Sequence, residues 1–318
     1  MNSETKNYLI TGGAGFIGSH LVDSLLNDGN NVLVIDNFDD FYSRDIKTNN
    51  LSNALTFDTF QLVEGDIRDV NILNELFRNN HFDIVVHLAA KAGVRPSIEN
   101  SPEYFDVNIN GTLNILEAMK RYDVKNMIFA SSSSVYGNNE KVPFSETDFV
   151  DNPISPYAAT KKSGELLCHT YHHLYDFKIN CLRFFTVYGP RQRPDLAIHK
   201  FSKKILSGES IPMFGDGTTK RDYTYIDDII QGVRLSIENL NSFEVFNLGE
   251  SRTITLKELI TLLEKEIGKK AIMEKLPLQP GDVEQTYADI SKAKELLQYD
   301  PQYEIEEGIK NFIKWLRE

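Results

Sequence analysis

The 318-residue chain has few cysteines, fewer bases than acids and no long apolar run. Cys168 and Cys181 are its only thiols, too few for a disulfide framework, so a reducing compartment is expected. Lys and Arg number 34 against 46 Asp and Glu, a formal net charge of −12. That balance argues against a nucleic-acid partner, which normally meets a basic face. An anionic small ligand stays open, because a few converging Arg or Lys side chains outweigh the global field at short range. No stretch approaches the roughly 18 apolar residues that cross a bilayer. The opening residues MNSETKNYLI lack the apolar core of a secretory signal. Internal repeats, low-complexity tracts and Ser/Gly linkers are also missing. With 41% apolar and 25% charged residues, the composition is that of a globular protein. The expectation is a cytoplasmic chain with one large domain and a smaller one, and no membrane partner.

Short apolar runs recur through the first half, each followed by a helical pattern. They are Tyr8–Ile10, Val32–Ile35, Ile84–Leu88, Met127–Ala130 and Cys181–Phe184. Runs that are apolar throughout suit strands covered on both faces, and helix-length spacers suit right-handed βαβ crossovers. The fold class is therefore α/β, a Rossmann-type doubly wound parallel sheet followed by a smaller C-terminal α/β substrate domain. The boundary falls at 186/187, where the pattern turns rich in Gly, Pro and charge: residues 1–186 form the first domain and 187–318 the second. Part of the second is allowed to return to the first. Helices are expected around Asp227–Leu235, Leu256–Ile267 and Ile305–Leu316. A cleft between two such domains is where a small ligand would sit.

Thr11-Gly12-Gly13-Ala14-Gly15-Phe16-Ile17-Gly18 follows a short strand and opens a helix. Gly12 permits a tight turn, Gly15 lets backbone approach a pyrophosphate, and Gly18 allows close helix–strand contact. The helix N-terminus then offers free N–H groups and a partial positive charge. Asp36 ends the next strand, 18 residues after Gly18. A carboxylate there hydrogen-bonds adenosine ribose hydroxyls and repels a 2′-phosphate, so NAD is favoured over NADP.

Of 14 tyrosines, only Tyr157 has a lysine four positions later, Lys161. That spacing puts both side chains on one helical face, with Pro156 suited to the helix's first turn. A nearby ammonium stabilises phenolate over phenol. Moving a tyrosine from about 10 to near 7 takes roughly 4 kcal/mol, which Lys161 plus an oxidised nicotinamide ring would supply in a partly desolvated cleft. The product is a general base matched to neutral pH.

The glycine turn, the run Ala130-Ser131-Ser132-Ser133-Ser134-Val135-Tyr136-Gly137 and the Tyr157–Lys161 pair resemble extended short-chain dehydrogenases/reductases that act on nucleotide sugars. The likeness covers nearly the whole chain, including Ala89–Ser97, Arg183–Pro190 and Arg221–Asp228. It implies that Ser132 bridges the sugar 4-hydroxyl and Tyr157, and that Lys161 also holds the nicotinamide ribose. It also assigns Phe16, Ile17, Asn37, Asp66, Ile67, Leu88, Ala89, Ala90 and Lys91 to the dinucleotide. In the implied cycle Tyr157 takes the 4-hydroxyl proton while carbon 4 gives up hydride, the 4-ketose turns over, and hydride returns to its other face.

Relatives that dehydrate or decarboxylate sugars place a Glu immediately before Val-Tyr-Gly, and dehydratases an Asp before that. Here Ser133 and Ser134 stand in those places, so proton transfers at carbons 5 and 6 lack their usual agent and an epimerase is favoured. Residues 91–97, 189–195 and the serine run look most like UDP-glucuronate 4-epimerases. Arg95, Arg191 and Arg193 suit a sugar carboxylate, with Arg193 first and Arg95 second. Ser132, Ser133, Thr186 and Arg193 are candidate clamps that keep this carboxylate out of line with the carbon-4 carbonyl. For the UDP end the likeness implies Arg221 on the diphosphate, Asp282 on ribose hydroxyls and Phe214 against uracil. The alternatives are a UDP-glucose or UDP-N-acetylhexosamine 4-epimerase, then a UDP-glucuronate decarboxylase, then a non-catalytic NAD sensor. A homodimer is implied through Tyr104–Lys120 and Tyr157–Tyr175, with Met119 and Leu166-Leu167 on the shared face. No metal site is expected: His169, His172 and His173 read as an ordinary helix, and Asp227-Asp228 as a helix cap.

Overall fold

The computed structural model describes residues 5–277 and 283–318. Seven strands form one sheet: β1 (Asn7–Thr11), β2 (Asn31–Asp36), β3 (Phe60–Glu64), β4 (Ile84–His87), β5 (Asn126–Ser132), β6 (Lys178–Phe184) and β7 (Phe243–Leu248). All pairings are parallel and the order is β7-β6-β5-β4-β1-β2-β3. Leu9, Ile10, Val34, Val85, Val86, Ile128 and Leu182 are wholly inaccessible, as continuous apolar strands between two helical layers must be. The doubly wound sheet expected from the sequence is what forms. From β1 the chain proceeds outward to β2 and later crosses back to β4 on β1's other side, so the carboxyl ends of β1 and β4 part into a crevice.

Two strands were not read from the sequence. β3 is a mostly exposed edge without a continuous apolar run. β7 lies well beyond position 187 yet pairs with β6 from Phe243 opposite Ile179 to Leu248 opposite Phe184. The remaining strands make short pairs: Thr186–Tyr188 with Tyr223–Tyr225, Ser210–Phe214 with Ile272–Leu276, and Lys220–Arg221 with Ile254–Thr255. One apolar cluster runs from Ile10 and Val34 through Leu182 to Ile229, Leu259 and Phe312, so both halves of the chain share a core.

Four helices position the crevice residues: α1 (Phe16–Asn27), α2 (Gly111–Arg121), α3 (Pro156–Tyr175) and α4 (Ile226–Glu238). The Ser155 hydroxyl accepts from the Ala158 amide at 3.1 Å and caps α3, with Pro156 in its first turn. Gly164 faces the Phe129 ring of β5, where any Cβ would collide, so α3 lies close against that strand. The stretch read as one helix from Tyr104 is interrupted by a π-helical turn at Asp106–Asn110.

Two expectations need correction. Asp227 and Asp228 do not cap α4, which starts at Ile226; the Asp228 carboxylate instead accepts from the Gln302 and Tyr303 amides at 2.8 and 3.1 Å. Met119 is wholly buried within the subunit, so it cannot lie on a shared face, whereas Leu166 is 57% exposed. His169 packs edge-on against Phe243, and the His172 ring bonds the Phe177 carbonyl at 2.7 Å. Among the described residues no group of three or more His, Cys, Asp or Glu could hold a metal ion, and no helix is long and apolar enough to cross a membrane.

Candidate active site

The glycine turn leaves β1 at Gly12, whose φ of +73° suits a residue without Cβ. Its amide donates to the Ile35 carbonyl at 2.8 Å, and an added Cβ would lie 2.8 Å from the Ala89 nitrogen. A Cβ on Gly18 would collide with the Gly12 carbonyl oxygen. α1 begins at Phe16 with no side-chain cap and no acid in its first turn, which leaves its N-terminal amides to an anion. These glycines, with Phe16 and Ile17, line a cavity of about 510 Å³ that follows the carboxyl ends of the strands. The shape and the donor set fit a dinucleotide pyrophosphate.

At one end of the cavity, the Asp36 carboxylate accepts from the Ala14 amide (3.0 Å) and the Phe38 amide (2.9 Å). Burial pushes its carboxyl above the usual range, while these bonds and nearby Lys47 pull it down. Asn37, Asp66 and Ile67 sit beside it. The Asn37 amide donates to Asp66 at 3.0 Å, and the Arg68 guanidinium holds the Asp66 carboxyl down at about 2. Leu88, Ala89, Ala90 and Lys91 line the cavity from the end of β4. The Lys91 ammonium lies 2.9 Å from both Asp39 and Glu103; these bonds outweigh its burial and raise its pKa.

At the other end stand Ser132, Tyr157 and Lys161, all on the cavity wall. Ser132 ends β5, and its hydroxyl, which donates to the Ser134 hydroxyl at 3.2 Å, is the main protein group holding the Tyr157 phenol down. It also accepts from the Ser134 amide at 3.1 Å. The Ser97 hydroxyl accepts from the Tyr157 amide at 3.1 Å, and Tyr104 meets the Tyr157 ring edge-on at 6.4 Å. The protein's own groups do not by themselves lower the phenol. Burial pushes the Tyr157 phenol up; Ser132 and then Arg193 oppose it, but the sum of protein groups stays above the usual tyrosine value. The Lys161 ammonium is not among the groups that pull it down. It donates to the Ala130 carbonyl at 2.6 Å and lies 6.0 Å from the Tyr157 ring centre, and burial lowers its own pKa to about 8.

The arginines part ways. Arg193 lines the main cavity, forked onto Asp195 at 2.9 and 2.7 Å and stacked 5.2 Å from the Phe41 ring centre. Arg191 instead pairs with Asp23 of α1 at 2.7 Å and lines neither cavity, contrary to the carboxylate role expected of it. Arg95 stacks over Phe214 at 4.4 Å, and both lie outside the two cavity linings, so Phe214 already carries a guanidinium on its ring. A second, smaller cavity shares Val94, Ser133, Ser134 and Thr186 with the first and adds Arg221. Asp282 falls outside the described residues.

Sequence reasoning missed the polar frame under this site. The His87 ring bonds Thr11 at 2.7 Å and Thr112 at 3.0 Å, joining β1, β4 and α2. Asn108, inside the π-turn, bonds both the amide and the carbonyl of Lys91 and donates to Thr160 of α3 at 2.9 Å. The local signal was a buried-spaced Asn in an apolar helical stretch, which carries no meaning until the partners are known.

Three comparisons locate the chain among known proteins. The family model described as GDP-mannose 4,6 dehydratase matches residues 9–312. The UDP-glucuronate 4-epimerase of Thermodesulfobacterium geofontis is 47% identical over 312 residues, covering 98% of this chain and 96% of that protein. UDP-glucuronate 4-epimerase 4 of Arabidopsis thaliana is 43% identical over 326 residues, covering 96% and 74%. The solved structure of UDP-glucuronic acid 4-epimerase from Bacillus cereus, in complex with UDP-glucuronic acid and NAD, superposes with a TM-score of 0.93 at 41% identity over 98% of this chain and 99% of that one. With the glycine cradle, the Tyr–Lys helix and these matches in hand, the chain belongs to the GDP-mannose 4,6 dehydratase family of short-chain dehydrogenases/reductases.

Proposed function

We propose that this chain is an NAD-dependent epimerase that inverts carbon 4 of UDP-glucuronate to give UDP-galacturonate. The observation that carries the reading is the wall around Tyr157. There the two cavities are lined by Ser132, Ser133, Ser134, Thr186, Arg193 and Arg221, and the carboxylates of the lining (Asp36, Asp39, Asp66) belong to the adenosine end. A carbon-5 or carbon-6 proton transfer would need an acid or base among those serines. Inversion at carbon 4 needs only the phenol, and the two arginines complement an anionic sugar and its diphosphate. The family's dehydratase name therefore does not carry over to the chemistry.

The glycine turn, Asp36 and the Leu88–Lys91 edge would hold NAD, which would supply the hydride acceptor and donor for carbon 4. Tyr157 takes and gives back the 4-hydroxyl proton, with the Ser132 hydroxyl as the bridging hydrogen-bond partner. Because burial raises the phenol, it is a strong base once ionised, and its ionisation depends on Ser132, Arg193 and the bound ligands. Lys161 holds the ribose next to the nicotinamide. Arg193, with Thr186 and Ser133, keeps the carboxylate charge-paired and turned away from the carbon-4 carbonyl, where alignment would expel carbon dioxide. Arg221 holds the diphosphate, and residues after 187 form most of the nucleotide-sugar site.

The chain acts in the cytoplasm as a homodimer, without nucleic-acid or membrane partners. Exposed Phe105, Leu113 and Leu166, on the helical segments expected at that interface, support the dimer. Incubating the holoenzyme separately with UDP-glucuronate, UDP-glucose and UDP-N-acetylglucosamine and resolving products by NMR tests the function. The 4-epimer of UDP-glucuronate is expected as main product; faster conversion of a neutral sugar, or release of a UDP-pentose, overturns it.

A further inference from the structure

Tyr157, Lys161 and Glu165 recur at every fourth position of α3, so they share one face. That face meets three successive residues of β5. Tyr157 shares the cavity wall with Ser132, Lys161 bonds the Ala130 carbonyl at 2.6 Å, and Glu165 accepts from the Ser131 hydroxyl at 2.6 Å. Glu165 is 3% exposed and forks onto the equally buried Arg183 of β6, at 2.8 and 2.9 Å. Burial works against its charge, but the guanidinium outweighs it and holds the carboxyl below its usual range. Arg183 also donates to the Tyr136 hydroxyl at 3.0 Å, and that hydroxyl donates to Asn247 of β7 at 2.6 Å. The segment Ser131–Tyr136 is thus fastened at both ends to one ion pair, and Ser132, Ser133 and Ser134 of the cavity lining lie between the fastenings.

We propose that Glu165 and Arg183 are positioning residues for the reaction: they fix the register between the Tyr157 helix and the Ser132 strand, and so set how the Tyr157 phenol and the Ser132 hydroxyl face each other across the cavity wall. This rests on the roles given above to Tyr157 and Ser132. A buried pair is a poor source of net stability, since desolvation consumes most of its attraction, but it tolerates few geometries. A shift of about 1 Å at a reacting centre costs on the order of 100-fold in rate.

The test is Ser131→Ala, which removes only the hydroxyl bond to Glu165, alongside the double variant Glu165→Leu/Arg183→Met, which replaces the pair by apolar groups of similar size. Both are assayed as holoenzymes with UDP-glucuronate. Expected are a melting temperature within about 2 °C of wild type for Ser131→Ala, KM within about twofold, and kcat reduced about tenfold. The acid limb of the kcat–pH profile moves to higher pH, because a displaced Ser132 hydroxyl no longer helps hold the phenol down. The double variant is expected to lose more in kcat while still folding. Wild-type kcat and pH profile in Ser131→Ala overturn the proposal. So does a kcat loss that follows a loss of melting temperature with an unmoved profile. Wild-type turnover of UDP-glucuronate, measured in the same series, tests the underlying function separately.

Discussion

The Lys161 ammonium donates to the Ala130 carbonyl at 2.6 Å while standing 6.0 Å from the centre of the Tyr157 ring. The lysine is fastened to the strand below the phenol, not to the phenol. Its charge is buried, and burial brings its pKa down from 10.5 to about 8. A depressed folded-state value means that the native state binds this proton more weakly than the unfolded chain does. The associated stability is complete above pH 10.5 and is lost as pH falls through about 8. Measured against Lys161→Met, the wild type is therefore expected to gain melting temperature between pH 7 and pH 9. The variant should lose on the order of 1000-fold in kcat. A gap in melting temperature that does not change with pH would refute the burial argument.

Arg193 is held by its Asp195 fork and the Phe41 ring in a cavity wall that, among the described residues, has no carboxylate on the sugar side. Arg193→Ala should lower kcat/KM for UDP-glucuronate by about 10- to 100-fold, the worth of a charge-assisted hydrogen bond. A decarboxylated UDP-pentose should appear among its products, because the carboxylate is free to rotate. UDP-glucose, if turned over at all, should be little affected. Product analysis by NMR decides; wild-type kinetics on UDP-glucuronate would remove the arginine from the mechanism.

Gly18 touches the Gly12 carbonyl so closely that a methyl group has no room. Gly18→Ala should push α1 away from β1, lower stability by about 1–3 kcal/mol and weaken NAD binding at least tenfold. Titration with NAD, followed by fluorescence, reads the second effect. Unchanged affinity would mean that the turn does not seat the pyrophosphate.

Glu250 sits near Asp222 and Asp228, and burial followed by their charges pushes its carboxyl up to about 8; Asp222 itself is raised to about 6. Raised folded-state values give stability that is complete below the ordinary carboxylate range and is lost as pH rises through about 8. Glu250→Gln is thus expected to melt higher than wild type at pH 9 and close to it at pH 5. Equal melting at both pH values would contradict the assignment.

Much of this was legible in the residues, for physical reasons. A parallel strand covered on both faces must be apolar throughout, so β1, β2, β4, β5 and β6 announced themselves. β3, an exposed edge, and β7, whose apolar run is broken by Glu244 and Asn247, did not. The glycine turn and the Tyr157–Lys161 spacing were visible because local geometry dictates them. Interactions between distant segments were not. The Glu165–Arg183 pair spans 18 positions, and the Asn247–Tyr136 bond spans 111. Likewise the sequence offered three arginines for the carboxylate, and only packing shows that Arg191 goes to Asp23, Arg95 to Phe214 and Arg193 to the cavity. Four residues along a helix fix a shared face but not the distance between charge and ring, which is 6.0 Å for Lys161 and Tyr157.

In the proposed cycle hydrogen leaves carbon 4 as hydride and returns to that same carbon inside a closed site. UDP-glucuronate bearing deuterium at carbon 4 tests it most directly, with turnover in ordinary water and NMR of the epimerised product. Full retention of deuterium at carbon 4 of UDP-galacturonate is expected. Loss of the label to water, or solvent hydrogen incorporated at carbon 5, would contradict the account.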